Sequence, residues 1–567
     1  MTAPLGVLLL LVPVLPLLLA LPALHSRLYW PCHLALLPAV ILLAVPATFS
    51  FELPWLLFGT GLGIDAESRL LLAMSVVLWA GAATLVLTPI GQPAGKRLKT
   101  FFLLTMAANL GAILATGLVG FFAFSTLMSF GFYGLLVDTG DEAARRAGRI
   151  YLGFMIVADL VLFDALLVAA TNTGDLGYEA VHNALARSSA SGFYVSMVLA
   201  GFALKAGAWP LHFWLPLAFR AAPAAIVLLL GGVPVAIGLV GMLRWLPLGE
   251  LAFPETGMGI QWIALVAVIY GTVAGLLQAR SRALLGYAVI VVTSLFIMIL
   301  GHGLEWPATG AVIQETAHQF ILTLGLTLAA LVPASHLADK ITSRLVLKPL
   351  QLAGAAAAAL LLALAPLMSL SLARIPAAGD PLTADSTMVT LWPWWTLCTT
   401  LLALRWLYLL TQRQQPVVTI PAPMTGAVWN VLLAVAYTSG LLVAVCSDDP
   451  MSVVDDVWKP LLLGVLLGVS VWWLAVKNRV PLIPAVTPGD FWLILERWLG
   501  RGKRWAMSMG YQDLPRWRTS ALAATHRLLQ VRAWQKTLDA SERSLQGWGL
   551  AVTVLLVLGI AIALLSA

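Results

Sequence analysis

Apolar runs of about twenty residues, separated by short polar segments, recur along nearly the whole chain. A run of that length crosses the hydrocarbon core of a bilayer as an α-helix. Such runs predict an all-α polytopic membrane protein with about sixteen transmembrane helices. They fall at 3–24, 31–50, 69–89, 100–116, 118–138, 149–171, 192–209, 223–244, 260–278, 283–302, 310–334, 349–372, 389–411, 427–446, 460–476 and 547–566. Composition agrees. Hydrophobic residues make up 60% of the 567 and charged residues 10%, against roughly 25% charged in a soluble domain. An ordinary soluble enzyme, a disordered chain and a secreted disulfide scaffold are excluded. The first run has no basic segment before it, so a retained helix is expected rather than a cleaved signal peptide.

The net charge of +7 sorts by loop. Of the 33 Lys and Arg residues, 26 fall on odd-numbered loops or the 497–543 segment, five on even-numbered loops, and two in or beside helices. The excess of positive charge on inner loops places the odd loops in the cytoplasm and both termini outside, in a bacterial-type inner membrane. The basic excess is thus an orientation signal, and no nucleic-acid partner is implied. Segment 488–543 is rich in Arg and Trp. Phe491, Trp492, Leu495, Trp498 and Leu499 recur at helical spacing among charges, which predicts an amphipathic helix lying along the membrane surface.

Cys32, Cys398 and Cys446 each lie in or beside an apolar run. With no CxxC or His/Cys cluster, no structural metal is expected. The chain also lacks a nucleophile constellation, a phosphate loop and any cofactor motif. It is not expected to catalyse a reaction on its own.

The most informative stretch is Ala203-Leu-Lys-Ala-Gly-Ala-Trp-Pro-Leu-His-Phe-Trp-Leu-Pro216. Pro210 removes a backbone N–H and clashes with an earlier carbonyl, so the helix should break there. Broken helices are tolerated in membranes where they line a cavity or are buried in protein. Lys205 stands about one turn before the break. A lysine there changes its protonation when water or a neighbouring charge changes. His212 lies just past the break.

The pattern K-A-G-x-x-P-L-H-x-W-L-P-x-A-x-x-A-A-P, from Lys205 to Pro223, resembles the hallmark of the antiporter-like subunits of respiratory complex I, Mrp-type antiporters and membrane-bound hydrogenases. Gly63-Ile-Asp65, Phe121 to Ser129, Gly238 to Arg244, Arg282 to Tyr287, His318 and Leu364 to Arg374 fit in order. The resemblance covers about residues 60–375. A lateral segment followed by one last helix is similar to the L-type subunit of complex I. The resemblance implies three leading helices in 1–99 and two inverted five-helix repeats, in 100–245 and 260–412, with breaks at Pro210 and Pro366. Further helices in 427–476, the lateral segment 488–543 and a final helix 547–566 complete the implied plan.

The chain departs from that pattern at charged positions. The glutamate usually paired with the lysine aligns with Thr126, and the lysine usually four residues after the histidine aligns with Leu322. Substitutes are present. Asp159 and Asp164 share the sixth span, and intramembrane carboxylates are costly unless paired or protonated. One of them is a candidate partner for Lys205. Glu315 and His318, three apart, share a helix face and are a candidate relay. Arg374 and Arg405 are further candidates for ion translocation.

Three functions follow as expectations. The first is an ion-translocating subunit, with the proton as the expected ion, that docks on other membrane subunits through the lateral segment and flanking helices. The second is the membrane subunit of an inorganic-carbon accumulating system, which divergent members of the family resemble, with a cytoplasmic carbonic-anhydrase-like partner. The third is a non-conducting scaffold.

Overall fold

The computed structural model describes residues 2–21, 24, 31–46, 48–52, 60–87, 95–138, 140–340, 349–365, 391–411, 423–445 and 450–478. The expectations placed on Pro366, Arg374, 488–543 and 547–566 lie outside these residues, as does the Glu315 side chain.

In chain order the helices are α1 (Thr2–Leu19), α2 (Pro31–Leu34), α3 (Leu37–Leu43), α4 (Ala66–Leu87), α5 (Lys96–Leu114) and α6 (Leu118–Val137). Then come α7 (Glu142–Asn172), α8 (Tyr178–Leu185), α9 (Ser191–Ala206), α10 (Trp214–Ala221), α11 (Ala224–Leu230) and α12 (Ala236–Trp245). They continue with α13 (Pro254–Leu276), α14 (Ser281–Glu305), α15 (Gly310–Lys340), α16 (Pro349–Ala363), α17 (Trp395–Thr411), α18 (Pro423–Val445) and α19 (Pro450–Asn478). Among the described residues, eight helices are long and apolar enough to cross a membrane, and seven shorter apolar helices accompany them.

Burial separates centre from rim. Helix α14 and the stretch from α11 through α12 are buried along their apolar length, whereas α7 and α13 bury only 33% and 39% of theirs. On α7 the buried residues Ala144, Ala147, Tyr151, Met155, Ala158, Leu162 and Ala165 recur every three or four positions, which is the stripe a helix lays against one side of a bundle.

Two departures from a purely helical plan have local causes. Helix α3 ends at Leu43 rather than running to 50, and Phe49–Glu52 pairs antiparallel with Gly61–Ile64 as a two-stranded hairpin (β1, β2). Pro46 cannot continue the helix, and the predominantly helical plan stands with this hairpin added. Between α11 and α12, Gly231–Val235 forms a π-helical turn around Pro234. A proline inside a helix removes one backbone donor, and a π-turn absorbs the interruption without ending the span.

Arg244, at the end of α12, donates to the carbonyls of Ala112 (3.3 Å) and Ile113 (2.8 Å), which close α5. The last carbonyls of a helix have no partner within it, and a cation there also complements the helix dipole.

Candidate functional site

The broken helix is built from a specific ending. Gly207 has φ +65°. Its N–H bonds to the Leu204 carbonyl (3.3 Å), and the Ala208 N–H to that of Ala203 (2.9 Å). These two bonds form a Schellman ending, which needs a left-handed residue just past the helix. Helix α9 therefore stops at Ala206, earlier than the run to 209 predicted from Pro210 alone. The Trp214 indole, from the first turn of α10, donates to the Leu204 carbonyl (3.0 Å). The second half-helix thus helps satisfy a carbonyl that the break exposes. Gly238 of α12 packs so close to Ala206 that a Cβ would lie 2.6 Å from its backbone nitrogen.

Lys205 occupies the last turn of α9 and is 2% exposed. Its Nζ lies 2.7 Å from Asp159 Oδ1 on α7 and donates to Ser129 Oγ on α6 (3.2 Å). Ser129 donates in turn to the Ser125 carbonyl (2.9 Å). Fully buried Tyr151 stacks edge-on against Trp214 and neighbours both Ser129 and Asp159. The structure places Asp159 at Lys205; Asp164 is on the exposed side of the same helix. Five residues in a helix turn about 500°, so the two carboxylates face different directions. Thr126 lies one turn from Ser129, with its buried hydroxyl unbonded among the described residues.

His212 sits inside the break, 3% exposed, with Nε2 2.9 Å from the Tyr270 hydroxyl of α13. This contact ties the break to the second half of the molecule rather than to Lys205. Arg405 donates to the Gln278 carbonyl (3.1 Å), just past the end of α13, and lies over the Tyr408 ring.

His318 is brought to a residue the sequence reading missed. It is 2% exposed, with Nδ1 2.7 Å from the Gln314 carbonyl and Nε2 3.3 Å from Glu67 Oε2 on α4. Glu67 is placed by a capping box: Ser68 N–H donates to Asp65 Oδ1 (2.7 Å) and Asp65 N–H to Ser68 Oγ (2.8 Å). Burial alone would push the Asp65 carboxyl up. The Ser68 hydrogen bonds and the nearby Arg244 guanidinium outweigh it and hold the group below the usual carboxylate range. The Asp-x-x-Ser spacing was the available signal for this helix start.

Asp65, Glu67 and His318 line a cavity of about 970 Å³ with Arg244, His182 and Glu250. Burial, and then the charge of Glu179, raise the Glu250 carboxyl. Burial lowers His182, whose Nδ1 is 3.8 Å from Glu250 Oε1.

The chain is similar in sequence and in fold to known membrane proteins. The chain is 28% identical over 267 residues to a probable K(+)/H(+) antiporter component of Rhizobium meliloti (strain 1021), covering 45% of this chain and 49% of that protein. It is 27% identical over 287 residues to the M subunit of the NADH-quinone oxidoreductase of Escherichia coli (strain K12), covering 47% and 55%. The chain thus spans about half the length of the curated relatives it matches. Its fold is similar to a chain of the Mrp complex from Dietzia sp. DQ12-45-1b (TM-score 0.64, 15% identity, 94% of this chain and 63% of that one). It is likewise similar to a chain of a membrane-bound sulfane sulfur reductase, an archaeal respiratory membrane complex (TM-score 0.62, 18% identity, 93% and 99%). The model of the NADH:quinone oxidoreductase/Mrp antiporter transmembrane family matches residues 115–405, just over half of the chain and inclusive of Lys205, Asp159 and His318. The chain belongs to that family.

Proposed function

We propose that this chain is an ion-translocating subunit of a multisubunit membrane complex, with the proton as its ion and the Lys205–Asp159 pair as its carrier. The carrying observation is a lysine 2% exposed in a broken helix, 2.7 Å from a carboxylate of the neighbouring helix α7. Two opposite charges at that depth attract strongly because little water screens them. A proton arriving at Asp159, or leaving Lys205, removes one charge and frees the other to seek a new partner. Such a pair stores a proton and releases it when its surroundings change. Its construction with Asp159, where the resemblance implies a glutamate at the position of Thr126, keeps the charge count while moving the acid to a neighbouring helix.

The same reading includes sixteen transmembrane helices, two inverted repeats broken at Pro210 and Pro366, and basic loops facing the cytoplasm. It also includes partner membrane subunits docked along 488–543. His212, Glu315, His318, Arg374 and Arg405 are its further candidate groups. The complex with its co-purifying subunits, reconstituted in vesicles with a pH-sensitive dye inside, tests it. Lys205→Ala should reduce ion flux by about 100-fold or more with the same subunits recovered. Wild-type flux in that variant defeats the proposal. The identities of the co-purified subunits separate a redox arm, an antiporter assembly and an inorganic-carbon system.

A further inference from the structure

The approach of Glu67 to His318 favours an added proton. The Gln314 carbonyl can only accept, so His318 Nδ1, 2.7 Å away, carries a hydrogen. In a neutral ring the lone pair then sits on Nε2, which is 3.3 Å from Glu67 Oε2. A lone-pair nitrogen this close to an ionised carboxylate is repelled by it, and burial sharpens the repulsion. One additional proton removes it, either as imidazolium against carboxylate or as a protonated carboxyl against neutral imidazole. The other charged groups near the ring are Asp65, at the start of α4, and Arg244, at the end of α12; they are of opposite sign. Glu67 is partly exposed and both residues line the cavity, whose wall also carries Asp175, Glu179 and Glu250. Carboxylates in such a concave site concentrate cations, hydronium included.

We propose that Glu67 and His318 share one exchangeable proton and form the station at which protons pass between this cavity and the membrane interior. The transfer role rests on the translocation reading above; the shared proton does not. The complex, with nitrogen-15-labelled histidine, is placed in lipid vesicles at pH 7. His318→Asn identifies the ring signals. Wild type should show either a doubly protonated His318 ring or, in the infrared, a protonated carboxyl band that Glu67→Gln removes. In Glu67→Gln the amide donates permanently to Nε2, so His318 should carry a single ring proton and flux should fall at least tenfold. A neutral His318 beside an ionised Glu67 in the wild type overturns the shared proton. Normal flux in Glu67→Gln, with flux lost in Lys205→Ala, overturns the station and leaves the carrier standing. Normal flux in Lys205→Ala defeats the carrier, and the spectra still decide the shared proton.

A separate observation concerns Asp164. By the rise of a helix it lies about 12 Å from Asn172 and about 22 Å from Arg149, well inside the span. Yet it is exposed among Ile156, Leu160, Phe163 and Leu167. The comparable rim helix α13 exposes Met258, Trp262, Val266, Ile269 and Val273, all apolar, as lipid requires. A carboxylate on a hydrocarbon-facing surface is costly, and a basic partner compensates for it. We infer that this face of α7 docks a transmembrane helix of another subunit, one that carries a lysine or arginine. A photo-crosslinker at Leu160 or Leu167 in the purified complex should capture such a segment. Asp164→Leu should lower the recovered amount of that partner about tenfold while this chain still inserts, and changing the partner's basic residue to leucine should do the same. Adducts with lipid alone, with residues 489–567 of this chain or with a segment lacking a basic residue overturn the inference. So does unchanged recovery.

Discussion

Lys205 and His318 are each 2% exposed, and each faces a carboxylate from another helix. Their surroundings differ. The Asp159 side chain is 13% exposed, paired by charge with Lys205 Nζ, and Ser129 accepts a hydrogen bond from the same nitrogen. The Glu67 side chain is 43% exposed, stands farther from the His318 ring and opens onto a cavity. A sealed pair is held by direct attraction and has few routes for exchange. A pair at a cavity wall is held less tightly and exchanges with water. A basic side chain and a carboxylate are thus enclosed in one place and open to a cavity in the other.

The largest effect should come from unpairing the sealed site. Asp159→Ala leaves a buried ammonium without its counter-ion, and breaking a buried pair costs about 3–5 kcal/mol. Unfolding in mixed micelles should show that loss, and flux should vanish with it. The double change Lys205→Met with Asp159→Leu removes both charges and should restore stability, since a buried pair is often no better than apolar packing. Flux should remain lost. Recovery of flux in the double variant would show that the pair does not carry the ion.

A second test asks whether the acid's helix matters. Thr126 is on α6, the helix that supplies Ser129 to Lys205. Thr126→Glu combined with Asp159→Ala moves the carboxylate to the position it holds in the resembled family. Flux should recover at least tenfold over Asp159→Ala alone, a gain of about 1.4 kcal/mol in the barrier. No recovery would mean that Asp159 has a geometric role that a nearby charge cannot fill.

How much of this was legible depends on what makes a residue stand out. A lysine and an aspartate in apolar runs are conspicuous because burial is expensive, so both members of the sealed pair were nominated from sequence. Choosing Asp159 over Asp164 needed the helix's rotation against α9, which spacing alone does not provide. Glu67 was missed for the opposite reason. It sits at a polar helix start where a charge is unremarked, and His318 had a nearer acid, Glu315, three residues away on its own helix. The contact with Glu67 joins residues 251 apart and is fixed by packing of α4 against α15. The hairpin escaped because four-residue strands are too short to display alternation. The π-turn had a signal, Pro234 inside an apolar run.

Smaller effects concern what positions each pair. Gly207→Ala puts a side chain at φ +65°, at a cost of about 1–2 kcal/mol, and its Cβ would come within 3.2 Å of the Trp214 ring. Because Lys205 lies two residues earlier, flux should fall along with stability. Gly140 has φ +72° with nothing near its missing Cβ. Gly140→Ala should therefore lose comparable stability and keep its flux. Equal flux in the two variants would separate the break from conduction.

Asp65 has the smallest expected effect and a definite sign. Removing an N-cap costs about 1 kcal/mol, so Asp65→Ala should lower stability by about that much at pH 7. The Asp65 carboxyl is held below its ordinary value in the folded chain. Its contribution is therefore present above the unfolded value of about 4 and is lost as pH falls through the folded one. The gap between wild type and Asp65→Ala, measured by unfolding at a series of pH values, should narrow below about pH 4. Asp65→Asn keeps the cap without a titrating group, so its gap from Asp65→Ala should stay flat across the same range. If the two gaps run parallel, the cap is held by hydrogen-bond geometry alone. The charge of Asp65 would then act only on the cavity, where it lies near Arg244 and near His318, the partner of Glu67.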